Sequence, residues 1–81
     1  MISPEYVKGL RRIDVAITLR DGYSHYGIVC DDQREFKARV RRFSPKYTTV
    51  VIEYKLTGGT LTTALSLDDI EKICPVDNHA T

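Results

Sequence analysis

The feature that most constrains the fold of this 81-residue chain is a strict two-residue period near its start. Apolar side chains at Ile13, Val15, Ile17 and Leu19 alternate with small, polar or charged ones. Successive side chains of a strand point to opposite faces of a sheet, so the pattern predicts a strand with one buried face. A chain this short has room for one domain and one modest core, because it buries only about 60% of its unfolded surface.

The same period recurs along the rest of the chain and predicts further strands. They cover Tyr23–Cys30, Glu35–Phe43, Thr48–Leu56 and Thr60–Leu67. A short 3₁₀ or helical turn within residues 66–73 is expected to lead into a last strand that completes the sheet. Residues 1–75 are therefore predicted to form a single domain, and residues 76–81 a flexible tail.

Turn residues separate these stretches. Asp21-Gly22, Ser44-Pro45-Lys46 and Gly58-Gly59 are typical of tight connections between strands. Gly27 is suited to a sharp bend within its strand. The adjacent Arg41-Arg42 breaks the alternation before Phe43, which predicts a β-bulge.

A helix start precedes the first strand. Ser3 offers a capping hydroxyl, Pro4 suits the first helical position, and the Glu5 carboxylate faces the positive end of the helix dipole. We expect a short helix over Pro4–Arg11, with Tyr6, Val7 and Leu10 on its apolar side.

Composition favours a cytoplasmic protein. No apolar run approaches the roughly 18 residues that cross a bilayer, and the N-terminus has neither the basic nor the apolar region of a signal peptide. The two cysteines, Cys30 and Cys74, lie far apart without a CxxC pair, so we expect reduced thiols rather than a disulfide.

The residues that carry catalysis or bind metals are not arranged for chemistry. His25 has no nucleophile or carboxylate at a spacing that pairs them, and Cys30 shares its strand face with apolar side chains, which predicts an inert buried thiol. Asp31-Asp32 and Asp68-Asp69 lack the ligand ladder of a calcium loop and are typical of turns and helix starts. We therefore predict no enzyme activity, no cofactor and no metal.

The strongest functional signal is a basic stripe. Six cations fall within thirteen residues, and strand alternation places Lys37, Arg39 and Arg41 on one outward face. Three aromatic side chains are candidates for flanking contacts. The predicted partner-binding set is Arg34, Lys37, Arg39, Arg41, Arg42, Lys46, Tyr23, Phe43 and Tyr47.

The stripe has three interpretations. In the first, it is the solvated face of an edge strand, and Glu53 or the acidic segment 68–71 compensates its positive charge. In the second, it binds an acidic protein surface, and in the third, it follows the phosphate backbone of a nucleic acid. The charge is also uneven along the chain, with +4 over residues 1–55 and −3 over residues 56–81. The sequence also leaves a homo-oligomer open.

One combination of motifs resembles a known class of domains. It consists of Ile17-Thr18-Leu19-Arg20-Asp21-Gly22, then Tyr26-Gly27-Ile28-Val29, and finally Leu67-Asp68-Asp69-Ile70-Glu71-Lys72-Ile73. This combination resembles the Sm-like and SH3-like barrels, and within them it is similar to the Rho-inhibiting (Rof-like) antiterminators and the YolD-like proteins of bacteria. The resemblance is at the level of the fold, and no functional residue is carried over from either family.

Together, pattern and resemblance predict a mainly β (α+β) fold. It consists of a short N-terminal helix followed by a five-stranded, strongly bent antiparallel sheet or small Sm-like/SH3-like barrel. The expected function is that of a small, non-enzymatic regulatory module of bacterial or phage type, which binds a protein partner and modulates or inhibits it. The alternative is an Sm-like protein that binds RNA or DNA through the basic strand.

Overall fold

The structure, a computed structural model, describes residues 2–20 and 27–76. One short helix, five strands and one 3₁₀ turn make up the described part of the chain. In chain order they are α1 (Pro4–Lys8), β1 (Asp14–Leu19), β2 (Glu35–Ser44), β3 (Thr49–Leu56), β4 (Gly59–Ser66), the 3₁₀ turn (Leu67–Asp69) and β5 (Ile70–Pro75).

All five strands belong to one antiparallel sheet. Its hydrogen-bonded order is β4-β3-β2-β1-β5, so β2 lies at the centre and β4 and β5 lie at the two edges. Consecutive strands β1 to β4 form a meander, and β5 returns to pair with the other side of β1. This is the mainly β fold class that the sequence predicts, with a short helix before a five-stranded sheet.

The core lies on one face of the sheet. Val15, Ile17 and Leu19 are completely buried, as the two-residue period predicts. They pack with alternate residues of β2, β3 and β4 in one cluster, to which Val7 and Leu10 contribute from the N-terminal segment. Burial of apolar area is the main stabilising term for such a small sheet, at about 25 cal/mol per Å².

The predicted bulge in β2 is confirmed. The β2–β3 register is Val40 opposite Ile52 and then Arg42 opposite Val51, so one extra residue sits on β2. Val40 points into the core, Arg41 and Arg42 are both exposed, and Phe43 again packs against the core. A bulge turns the parity of a strand in this way, and here it leaves two successive arginines on the outer surface.

One predicted strand is wrong where it can be compared. The Gly27–Cys30 part of the expected strand Tyr23–Cys30 forms a bend and an irregular segment instead. Gly27 has a left-handed φ of 79°, which explains why a glycine occupies the bend. Residues 23–26 and the predicted turn Asp21-Gly22 lie outside the described residues. The other five of the six stretches predicted as strands are present, and the last of them is β5, which follows the predicted 3₁₀ turn.

The helix is shorter than predicted. Ser3 caps it by accepting a hydrogen bond from the Glu5 N–H (3.2 Å), but the helix ends at Lys8 instead of Arg11. Gly9 at its C-terminus has a low helix propensity, and the chain then turns toward β1. Tyr6 is about half exposed, and its hydroxyl donates to the Ile73 carbonyl (2.9 Å), which attaches the helix to β5.

Of the predicted tail, residues 76–81, the structure describes only Val76. Val76 is half-buried and donates its N–H to the Asp14 carbonyl (2.8 Å), which extends the contact between β5 and β1 by one residue. Residues 77–81 lie outside the described residues. Over the parts of the chain that the structure describes, no helix is long and apolar enough to cross a membrane.

The Tyr6 hydroxyl gives a direct test of how the helix is held. Tyr6→Phe removes one partly buried hydrogen bond, and we expect the free energy of unfolding to fall by about 1 kcal/mol. Tyr47→Phe is the matched control, because Tyr47 is 67% exposed and the same atom is removed there. Urea denaturation of both variants measures the difference, and equal stabilities would show that the Tyr6–Ile73 contact does not hold the helix.

Candidate functional site

The residues of the predicted basic stripe lie in several different surface environments. Lys37, Arg39 and Arg41 are all exposed, as strand alternation predicts. Arg39 and Arg41 line a cleft at one side of β2, whereas Lys37 lines a second, mixed-charge concavity further along the strand. Arg39 borders both, so it joins the two surfaces.

The first of these surfaces concentrates positive charge. It is a cleft of about 450 Å³ lined by four arginines, one carboxylate and the edge of Val40. We call it the arginine cleft, and its members are Arg11, Arg12, Arg39, Val40, Arg41 and Glu53. Four guanidinium groups and one carboxylate give this surface a formal charge of +3. Arg42 follows immediately on the bulge and is exposed as well.

The backbone holds the arginine cleft in place. Arg12 donates its N–H to the Val40 carbonyl (2.7 Å), and Val40 donates its own N–H to the Ile13 carbonyl (3.1 Å). The turn after α1 is thereby fastened to the middle of β2. Because both parts of the cleft are tied to the sheet, its guanidinium groups start from a preorganised backbone, which reduces the entropy lost on binding.

Arg12 adopts an unusual backbone conformation. Its φ is 67°, in the left-handed region that non-glycine residues adopt at a cost of roughly 1–2 kcal/mol. A glycine would adopt the same turn more easily, but the chain has an arginine here. Backbone strain of this kind gathers at functional sites, although Arg34 and Thr48 share the left-handed region in this chain (φ 64° and 52°).

Part of the basic charge is compensated within the sheet. Arg39 forms an ion pair with Asp14 on β1 (Nε to Oδ1, 2.9 Å), and its cross-strand neighbour on the other side is Glu53 of β3. Within the described residues, Arg11, Arg12 and Arg41 have no ion pair. The uncompensated charge of the arginine cleft therefore rests on these three side chains.

The second concavity has a different character. It has a volume of about 690 Å³ and lies where β2 and β3 diverge beyond the Arg39–Glu53 pair. The Phe36 and Tyr54 rings contribute apolar surface to it, and they pack edge to face with their centroids 5.6 Å apart. Its charged side chains are of both signs, and they are Asp14, Asp31, Glu35, Lys37, Arg39, Glu53 and Lys55.

Other predicted site residues lie elsewhere. Arg34 forms an ion pair with Glu71 (3.5 Å) and donates a hydrogen bond to the Arg20 carbonyl, so it links β5 to the ends of β1 and β2. Lys46 lies over the ring of Tyr47 (5.3 Å) in the β2–β3 turn. Phe43 packs against the core, and Tyr23 lies outside the described residues.

These placements bear on the interpretations of the stripe. Of the two compensating carboxylates considered from the sequence, Glu71 of the acidic segment forms an ion pair with Arg34, whereas Glu53 is the cross-strand neighbour of Arg39 without an ion pair in the described structure. Asp14 compensates Arg39 and Glu71 compensates Arg34, and the other cations of the stripe have no ion pair in the described structure. Self-compensation therefore explains only part of the basic surface.

The acids and thiols of the described chain have structural surroundings. Asp31 accepts hydrogen bonds from the Gln33 and Glu35 N–H groups (2.8 and 3.0 Å), as a turn-capping residue does. Within residues 2–20 and 27–76, no group of three or more His, Cys, Asp or Glu side chains is placed to hold a metal ion. Cys30 and Cys74 are free thiols. The predicted candidate His25 lies outside the described residues.

Cys30 is half-buried rather than buried. Desolvation raises the pKa of the Cys30 thiol above its ordinary value, and the neighbouring Asp31 carboxylate raises it further. A raised pKa lowers the thiolate fraction at neutral pH, and the thiolate is the reactive form. The predicted burial is therefore only partial, and the inertness of the thiol stays a prediction.

Comparison with known proteins adds no relative. Searches against protein-family models, curated proteins and solved structures returned no match to this chain. The residues of the arginine cleft are therefore the main indication of what this chain binds.

Two of the four arginines of the arginine cleft, Arg11 and Arg12, are not among the site residues predicted from the sequence. Arg11 and Arg12 lie more than twenty residues before the stripe, at the end of the predicted helix, and the backbone hydrogen bonds of Arg12 and Ile13 with Val40 bring them to β2. The available signal was the dibasic pair itself, next to an apolar segment that must dock on the sheet. Sequence alone does not say which strand the turn reaches.

The left-handed backbone of Arg12 predicts an asymmetry between two neighbouring substitutions. Arg12→Gly should leave the free energy of unfolding unchanged or raise it by up to about 1 kcal/mol, because glycine adopts positive φ without strain. Arg11→Gly removes the same charge at a position without positive φ, and it should lower stability by about 0.5–1 kcal/mol. Chemical denaturation measures both, and a larger loss for Arg12→Gly would contradict the account of this turn.

Proposed function

We propose that this chain is a small, non-enzymatic binding module that docks the arginine cleft onto an acidic surface of a protein partner and modulates that partner by occupying it. The observation that carries the proposal is the convergence of Arg11, Arg12 and Arg41, from two separate parts of the chain, on one cleft with a single carboxylate.

Charge is the first argument. Like charges at one surface repel each other and reduce stability unless a contact compensates them. Arg39 has that contact in Asp14, but the other three arginines of the cleft have no ion pair within the described residues. An anionic ligand would provide it, and guanidinium groups bind carboxylates and phosphates in a two-pronged geometry that lysine does not match.

The surroundings of the cleft favour a protein over a nucleic acid. Proteins that bind single strands combine a basic groove with aromatic side chains on which bases stack. Phe43 packs into the core, the Tyr54 hydroxyl is bonded to the Val29 backbone, and Tyr47 lies in the turn at the far end of β2. In the described chain, no aromatic residue lines the arginine cleft.

The carboxylates beside the arginines support the same choice. Asp14 and Glu53 flank Arg39 on both neighbouring strands. Such carboxylates would repel a phosphate backbone, whereas a protein surface that carries a few basic groups among its acids would complement them. The mixed-charge concavity next to the cleft extends this pattern along β2.

The test is affinity capture from bacterial lysate with a charge-removal variant. We expect the tagged protein to retain a discrete protein after nuclease treatment, and Arg11→Gln/Arg12→Gln/Arg41→Gln to weaken its capture by about tenfold or more, equivalent to about 1.4 kcal/mol. The matched control is Lys8→Gln/Lys46→Gln/Lys72→Gln, which removes the same charge outside both the arginine cleft and the mixed-charge concavity. This control should bind like the unmodified chain.

Two outcomes would contradict the proposal. If nuclease removes every captured protein and the chain itself retains RNA or DNA, the nucleic-acid alternative replaces the proposal. The logarithm of the binding constant should then fall with the logarithm of the salt concentration, with a slope of about −0.7 to −0.9 per phosphate contacted. If both triple variants lose the partner equally, net charge rather than the arginine cleft determines binding.

A further inference from the structure

The two edges of the sheet are protected to different degrees. Exposed edge strands present unpaired backbone groups that recruit other strands, and proteins usually block them with charges, prolines or covering elements. β5 is blocked in each of these ways. It contains Glu71 and Lys72, its C-terminal Pro75 has no N–H, and the Ile73 carbonyl accepts the Tyr6 hydroxyl from α1.

The described residues show none of these devices at the edge of β4. Its eight residues, Gly59–Ser66, contain no charged residue and no proline. Among the elements that the structure describes, β4 makes substantial contacts only with β3. Thr60, Thr62 and Ala64 are exposed along the strand.

The hydrogen-bond register shows which backbone groups are free. Leu67 donates to the Thr48 carbonyl (3.1 Å), and the same register pairs Leu65 with Val50 and Thr63 with Ile52. In an antiparallel ladder, alternate residues bond to opposite sides. The odd-numbered residues of β4 therefore bond to β3, and the N–H and C=O groups of Thr60, Thr62 and Ala64 point away from the sheet. The Ser66 N–H does so as well, but the Ser66 carbonyl accepts the first hydrogen bond of the 3₁₀ turn.

We infer that the β4 edge is a docking site for a second copy of this chain, paired antiparallel through β4 around a two-fold axis at Thr63. This register places Thr62 opposite Ala64 of the second copy and Thr60 opposite Ser66, so the outward-pointing N–H and C=O groups of Thr62 and Ala64 gain partners, and the Thr60 carbonyl accepts from the Ser66 N–H. It also places Leu61 opposite Leu65 of the second copy, on the face of the sheet that carries the core.

Self-complementarity is the reason for choosing a second copy as the occupant. The strand has no charge that would be placed opposite itself at the axis, where like charges destabilise a sheet. Leu61 is only half-buried within one copy, whereas the facing Leu65 is already completely buried in its own copy, so the pairing depends on the strand backbone and not on a contact between leucines. β3 separates the strand edge from the arginines of the cleft, so the dimer would leave both arginine clefts accessible and make the module bivalent.

The experiment is sedimentation equilibrium of the full chain and three variants up to about 1 mM, the range of weak association. The unmodified chain should shift with concentration from 9.2 kDa toward twice that mass. Ala64→Lys places a charge at the edge, and Thr62→Pro removes an outward N–H without removing a bond to β3, so both should remain monomeric. Thr57→Lys, in the β3–β4 turn outside the pairing, should dimerise like the unmodified chain.

The register has its own test. Thr63→Cys places two thiols opposite each other at the two-fold axis, in a close cross-strand pair of a kind that a disulfide can bridge. Under mild oxidation it should form a covalent dimer more readily than the unmodified chain does, whereas Thr62→Cys should not. A chain that stays monomeric throughout, or a dimer unaffected by Ala64→Lys and Thr62→Pro, would overturn the inference.

Discussion

The pairing of β2 with strands on both of its sides is the constraint on which the rest of the structure depends. β1 and β3 both bond to this strand, and the turn after α1 bonds to its middle through Arg12 and Val40. Because of the bulge at Arg41, β2 directs Val40 before it and Phe43 after it toward the same core. The same bulge places Arg41 and Arg42 together on the outer surface, so one backbone feature determines both the core packing of β2 and its surface charge.

The parts of the fold that depend on local pattern were predictable from the sequence. Alternation identified β1, β3 and β4, the adjacent arginines identified the bulge, and Ser3 identified the helix start. The error at Gly27–Cys30 arose because alternation over a few residues does not distinguish a strand from a loop that buries Ile28 against the core. That loop's contacts are tertiary, so no local signal reports them.

The candidate site was predictable only in part, for a related reason. Strand parity placed Arg39 and Arg41 on the outer face, but their surroundings depend on which strands lie beside β2. Asp14 and Glu53 become neighbours of Arg39 only through the sheet register, and Arg11 and Arg12 arrive only through a left-handed turn. Arg34, which belongs to the same sequence stripe, is instead held by Glu71 on β5.

The central claim is that the arginine cleft, rather than the basic charge of the whole chain, binds acidic protein surface. The most direct measurement follows the guanidinium Nε–H signals of the arginines by NMR while a glutamate-rich peptide is added. The account predicts that the signals of Arg11, Arg12 and Arg41 shift together and saturate, whereas those of Arg20 and Arg34, engaged with the backbone and Glu71, stay in place. Shifts of similar size at every arginine, without saturation, would contradict it.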